Sequence, residues 1–237
     1  MRAFPYLASA PRTAVARPTW SISWPCPIGK RSLTWSASPY RRSTLARDPL
    51  EMLLEAIAAG DDDRAEVAAL EIGRLERGVL PALREMLASA ERDYRWWAVR
   101  TLAAVGTDEA VALLIEALDD PDPDVRACAV VGLAGLRSEE AVGPLVAHLA
   151  DPSAYVGRLV ADALGRFGAV AVPALIAALK EGDVATRAGA ARALSAIQPQ
   201  EAIEALCRAL DDPSAIVTYY AEEALDKMGV GLILFRP

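Results

Sequence analysis

The chain repeats itself, and the length of the repeat limits what it can fold into. Leu118, Val125, Leu133 and Val142 return as Leu149, Val156, Leu164 and Val172, displaced by 31, 31, 31 and 30 residues. A period in this range belongs to arrays of one supersecondary unit, each too small to bury its own apolar face and stable only when stacked on its neighbours. Helical pattern begins at Asp48-Pro49, where Leu50, Leu53, Leu54 and Ile57 follow the i, i+3, i+4, i+7 spacing of a buried helix face. A shift of 30 residues carries these positions onto Leu80, Leu83 and Leu87, so the first helix corresponds to the second half of a unit. Full units follow at 61–87, 91–118, 122–149, 153–180 and 183–210, with a last half-unit at 214–228. Each full unit reads as two antiparallel helices.

The boundaries carry matching chemistry. Asp122, Ser153, Asp183 and Ser214 each stand three residues before Val125, Val156, Thr186 and Val217, where a short polar side chain accepts from the free amides of a first turn. Gly106, Gly168 and Gly229 fall where the first helix stops, a position that favours a left-handed residue; Arg137 and Gln198 occupy it in other units. Pro81 and Pro173 fall in the opening turn of a second helix, where a missing amide hydrogen costs little. Val125, Leu133 and Leu136 share a stripe with Val142, Leu145 and Leu149, and many alanines let helices approach closely. The expected fold is all-α, a right-handed α-α superhelix (solenoid) of about five full pairs with terminal half-repeats and one continuous leucine-rich core.

Charge divides the chain at Arg47. Arg2, Arg12, Arg17, Lys30, Arg31, Arg41, Arg42 and Arg47 stand in a segment without an acid, so the rest carries 17 cations against 32 acids within a formal charge of -7. Such an acidic body is unsuited to phosphate backbones, which leaves nucleic acid only to the basic segment. Residues 1–47 are rich in Pro, Ser and Arg, and Trp20, Trp24 and Trp35 follow no helical or strand period, so little packed structure is expected there. Three readings stay open for it: an address, an arm for acidic partners, or a plain extension or over-extended start ahead of Met52. The body, 48–237, is the solenoid. Cys26, Cys128 and Cys207 are far apart and form no C-x-x-C, which signals neither a disulfide framework nor zinc and suits a reducing, cytoplasmic setting. The longest apolar run, Ala169 to Leu179, is interrupted by Pro173 and falls short of the roughly 20 residues of a membrane helix, so the body reads as soluble.

Written as D-P-x-x-x-V-R-x-x-A-x-x-x-L-x-x-L-(G)-x-x-x-A-V-x-x-L-x-x-x-L, the unit resembles the short HEAT-like repeats named after phycobilisome lyase subunits, over about 48–228. The first-helix arginine of that pattern falls at Arg64, Arg95, Arg126 and Arg187, and the Ala-Val pair at Ala110-Val111, Ala141-Val142, Ala171-Val172 and Ala202-Ile203. Gly157 and Thr218 replace the arginine, so a ladder of stacked charges is broken twice. The tetratricopeptide and ankyrin patterns do not occur. The resemblance implies that the arginines bind acids of adjacent repeats and stiffen the stack. It also implies a concave side lined by the second helices, whose outward position reads Glu85, Glu116, Ala147, Ala177 and Arg208, acidic to bland to basic. A partner with the reverse order of charge is the expected match.

Catalysis finds little support. His148 is the only histidine, and its nearest acid, Asp151, belongs to a turn. Relatives that hydroxylate deoxyhypusine bind iron through paired His-Glu motifs, which a single histidine cannot supply. Cys128 and Cys207 read as small buried hydrophobes. Asp61-Asp62-Asp63 and the acids between Asp119 and Asp124 read as solvated turns and helix starts rather than a metal site. No phosphate-binding glycine loop is present. Trp96-Trp97 and Tyr219-Tyr220 share one position of the unit, and adjacent helical residues point about 100° apart, so these four are anchor candidates, with one of each pair partly exposed. Filling of the core near each end is the equal alternative. The expected role is a non-catalytic protein-binding scaffold with no cofactor, metal or membrane partner. The alternative is an auxiliary subunit of a bilin lyase or related chromophore-handling enzyme, which visible absorbance after co-expression with a bilin would reveal.

Overall fold

The computed structural model describes residues 48–75 and 78–230. The basic segment 1–47, with Trp20, Trp24, Trp35 and Cys26, lies outside the described residues, as does the chain after Val230. Among the described residues there are twelve α-helices and no strand: α1 (Pro49–Ala59), α2 (Asp62–Leu75), α3 (Leu80–Leu87), α4 (Arg92–Val105), α5 (Asp108–Glu116), α6 (Pro123–Leu136), α7 (Val142–Ala147), α8 (Ala154–Phe167), α9 (Val172–Glu181), α10 (Val184–Ile197), α11 (Ile203–Ala209) and α12 (Ala215–Lys227). They form five helix pairs, α2–α3 to α10–α11, with a lone second-type helix before them and a lone first-type helix after, in the expected order. The first helices α2, α4, α6, α8, α10 and α12 pack in sequence as one layer. The second helices form the other layer, with α3 on α5 and α7 on α9 on α11, and each wedges against the first helix of the next unit.

Two columns of leucine explain the stacking. In the second helices Leu53, Leu83, Leu114, Leu145, Leu175 and Leu206 are all 0% exposed. In the first helices Leu102, Leu133, Leu164 and Leu194 are equally enclosed, with Leu225 and Ile72 closing the column. Between first helices the contact is close because small residues meet. A Cβ added at Gly132 would lie 2.9 Å from Ala103 Cβ, and one at Gly165 would lie 3.1 Å from Ala196 Cβ.

Helix starts follow the expected chemistry in part. Asp122 accepts from the Asp124 amide at 2.8 Å and Asp183 from the Thr186 amide at 2.8 Å. Ser153 and Ser214 depart from expectation, since neither side chain caps its helix. Their amides instead donate to Asp151 at 2.7 Å and Asp212 at 2.9 Å, two residues upstream. The upstream aspartate satisfies the amide of the capping residue itself, and the serine hydroxyl makes no bond to the first-turn amides. At the other end of the first helices, Gly106, Arg137 and Gln198 are left-handed caps. Gly168 differs: with φ 65° and ψ -136° it lies outside the left-handed helical well and leads into a 3-10 turn at Gly168–Ala171. That turn splits the long apolar stretch Ala154–Glu181 into α8 and α9, fourteen and ten residues long, each too short to cross a bilayer.

Truncating Leu133 or Leu164 to Ala should lower stability by roughly 2–5 kcal/mol in a urea titration, as for other enclosed core leucines. Glycines separate by surroundings. Gly135 is helical with no atom within 4 Å of an added Cβ, whereas one at Gly73 would sit 2.6 Å from the Ala104 carbonyl oxygen. Gly135→Ala is therefore expected to stabilise by about 0.5–1 kcal/mol and Gly73→Ala to destabilise, read in the same titration.

Candidate binding face

The buried charges hold the units together. Arg95 Nε and Nη2 donate to Asp120 at 2.7 and 3.1 Å, those of Arg126 to Asp151 at 2.8 and 2.8 Å, and those of Arg187 to Asp212 at 2.7 and 3.0 Å. The third nitrogen reaches backbone carbonyls of the turn just before its own helix: Ser89 and Ala90, Asp120 and Pro121, or Gly182. Each fork thus ties the turn entering its unit to the turn leaving it. Asp120, Asp151 and Asp212 also accept from the amides of Asp122, Ser153 and Ser214, so one carboxylate serves fork and helix start together.

The electrostatics follow. Hydrogen bonds to the carboxylates raise the three arginines above their ordinary range against the opposing effect of burial. Burial pushes the Asp151 carboxyl up, but Arg126, the Ser153 amide and nearby positive charge together hold it below the usual range. Asp212 is lowered chiefly by the Arg187 hydrogen bond.

Arg64 is a correction to the expected series. The amides of Arg95, Arg126, Gly157, Arg187 and Thr218 donate to the carbonyl of the capping residue, but in α2 it is Ala65 that donates to Asp61. Arg64 therefore stands one residue early, about 100° round the helix, exposed beside Glu55 at 3.8 Å and Asp61 at 4.0 Å. The ladder is open in the fourth pair as well. Gly157 replaces the arginine, and Glu181, at the acid's place in the turn, is exposed. His148 is held away from Asp151. It pairs with Asp119 at 3.3 Å and through Nδ1 with the Pro144 carbonyl at 2.8 Å, while Asp151 is engaged by Arg126. Cys128 is buried and its thiol is pushed up to about 12 by burial, whereas Cys207 is half-buried rather than enclosed. No group of His, Cys, Asp or Glu able to hold a metal occurs among the described residues.

The aromatic pairs are edge-to-face, with ring centres 4.9 Å apart for Trp96–Trp97 and 5.2 Å for Tyr219–Tyr220. Trp97 is core and Trp96 half-buried; Tyr219 is 57% exposed and Tyr220 is engaged by Arg192. Only Tyr219 presents a largely open ring.

Glu85, Glu116, Ala147, Ala177 and Arg208 are all exposed, at one register of α3, α5, α7, α9 and α11. A second exposed row stands one turn earlier, at Pro81, Ala112, Gly143, Pro173 and Glu204, and was not singled out from sequence. Its signal was available, because residues four apart share a helix face. In the middle three pairs the two rows hold only Ala, Gly and Pro apart from Glu116. Charge at either edge is locally balanced: Glu116 lies 3.9 Å from Arg84, and Arg208 donates to Glu204.

Asp151→Ala would strand the Arg126 guanidinium and should lower stability by about 3 kcal/mol, whereas Arg64→Ala should change it by less than about 0.5 kcal/mol. Because Asp151 and Asp212 titrate below their unfolded values, their contribution is present above pH ~4 and is lost as pH falls through the folded value. Chemical denaturation as pH falls below 4 should show a steeper stability loss in the parent than in Asp151→Ala.

A sequence model described as HEAT repeats matches residues 50–134, 111–171 and 142–226. No curated protein matches the chain. Among solved structures, the chain is similar to the complex of CpcE and CpcF of phycocyanin lyase from Nostoc sp. PCC7120, with 24% identity over 82% of this chain and 82% of that one, TM-score 0.41. It is also similar to the archaeal HEAT-like repeats protein from Thermococcus onnurineus NA1, with 14% identity over 77% of this chain and 81% of that one, TM-score 0.46. A designed armadillo repeat protein in complex with the peptide (KR)4 gives 18% identity over 77% of this chain and 100% of that one, TM-score 0.41. With matches that run through almost every helix of the row, the chain belongs to the HEAT repeat family.

Proposed function

We propose that the protein is a non-catalytic scaffold that holds another protein along the exposed face of its second helices. The observation that carries this reading is the double row Pro81, Ala112, Gly143, Pro173, Glu204 and Glu85, Glu116, Ala147, Ala177, Arg208, ten exposed residues at two registers of five successive helices. Its small central residues let a partner's backbone or apolar side chains approach closely, and the edge charges orient it. The buried Arg–Asp forks are engaged within the stack, so they supply rigidity rather than contact.

The test is affinity capture with the full chain, followed by titration of the captured partner. Ala147→Arg with Ala177→Arg, and separately Glu85→Lys with Glu116→Lys, should each weaken binding by about ten-fold or more while leaving the melting curve in place. Arg158→Glu, exposed on the first-helix layer, should leave binding unchanged. Equal binding by all three would count against the face.

A further inference from the structure

The two ends of the row fit one another. Counting from the capping residue, position twelve of a first helix faces position thirteen of the next: Gly73 meets Ala104, Gly165 meets Ala196, and Lys227 Nζ donates to Ser195 Oγ at 3.0 Å. Position five also faces position nine, as in the Glu66–Arg100 pair, and position nine faces position six, as in Arg192 with the Tyr220 hydroxyl. In α10 the forward positions five and twelve, Ala188 and Ser195, are buried, and position nine, Arg192, is engaged by Tyr220 of α12. In α12 positions five and twelve are Tyr219 and Asp226, both exposed, and position nine is Glu223, half-buried beside Lys227.

At the opposite end, the backward positions six, nine and thirteen of α2 are Val67, 55% exposed, Leu70, half-buried, and Arg74, whose side chain is 72% exposed beside Glu71. The forward face of α12 therefore offers an aromatic ring and two acids, and the backward face of α2 offers two aliphatic side chains and a cation. In addition α1 is a second-type helix, and α12, packed on α11 of the preceding pair, has no second helix of its own unit among the described residues.

We infer that a second copy of this chain stacks head to tail, its α2 against α12, continuing the row. In the internal register Asp226 meets Arg74 of the next copy as Ser195 meets Lys227, Tyr219 faces Leu70 as Glu66 faces Arg100, and Glu223 lies over Val67 as Arg192 lies over Tyr220. Such a contact joins two different surfaces, so it propagates to an open filament or closes to a ring. It uses none of the second-helix rows and stands apart from the functional reading.

Sedimentation equilibrium of the full chain from micromolar to millimolar concentration should show a mass rising above the 25.2 kDa of one copy. Arg74→Glu and Asp226→Arg should each lower the association constant by about ten-fold or more, and mixing the two variants should restore it, because each then meets an opposite charge. Tyr219→Ala removes apolar contact without changing charge. It should also weaken association, which keeps a test should a reversal disturb folding. A mass of one copy throughout, association indifferent to these substitutions, or no recovery on mixing would overturn the inference.

Discussion

A pair of helices with two apolar stripes cannot bury both on its own, and this constraint shapes the rest of the structure. The leucine columns at Leu53 to Leu206 and Leu102 to Leu225 are enclosed only because each unit lies against another. Burial consequently grades along the row. In α4 the successive residues Trp97, Ala98, Val99, Arg100, Thr101 and Leu102 are all buried, since a first helix lies on either side. In α12, covered by α10 and α11, burial is limited to Val217, Ala221, Ala224 and Leu225. Stability in such a row is close to a sum of units and interfaces, so a lesion in the middle weakens two contacts and one at an end weakens one.

Charge has a secondary and more local part. The Arg–Asp forks fix turns to turns, and they do so with side chains largely out of water, where a lost partner is costly but an intact pair adds little beyond an apolar replacement. Their value is geometric: a planar fork with two carbonyls and one carboxylate sets the angle at which one unit leaves and the next enters. The fourth pair, with Gly157, lacks this tie. Its first helix is linked instead across the layer, where Arg192 donates to Asp162 at 3.0 Å and to the Tyr220 hydroxyl at 3.2 Å, joining α8, α10 and α12. Arg192 also lies over the Tyr220 ring, 5.7 Å from its centre. This bridge holds helix to helix, and no fork joins the turn at Asp151 to the turn at Gly182.

How much was legible in the sequence depended on whether a residue's role is set by period or by neighbours. The helix pairs, their limits and the buried leucines were readable because burial repeats with the unit. The proline starts at Pro81 and Pro173 were readable because they depend only on local backbone. Arg64 was misplaced because it stands three residues after its capping residue where the later arginines stand four, a difference that becomes visible only when the amide of Ala65 is seen to bond Asp61. Ser153 and Ser214 looked like caps because the residue type fits, but their side chains make no cap bond, and it is their own amides that bond Asp151 and Asp212. Those aspartates also carried a missed signal: each fork joins residues 25 apart, and Asp120, Asp151 and Asp212 recur with their arginines. The row at Pro81 to Glu204 was missed because small residues were credited to packing.

The same reasoning explains why fold outran function. At a column position six units bring the same answer, leucine, because packing admits little else. At the outward position the five full pairs bring Glu, Glu, Ala, Ala and Arg, because water admits all of them. Repetition is therefore informative about architecture and silent about partners, and recognition must be sought where units disagree. The disagreement here has a pattern: small residues fill the middle of the second-helix face and balanced ion pairs mark its edges. Packing alone does not require bare residues at exposed helix positions, where longer side chains would fit equally well. Along α7 and α9 both rows hold only Ala, Gly and Pro, so the surface there is low, while Glu116 stands up from α5.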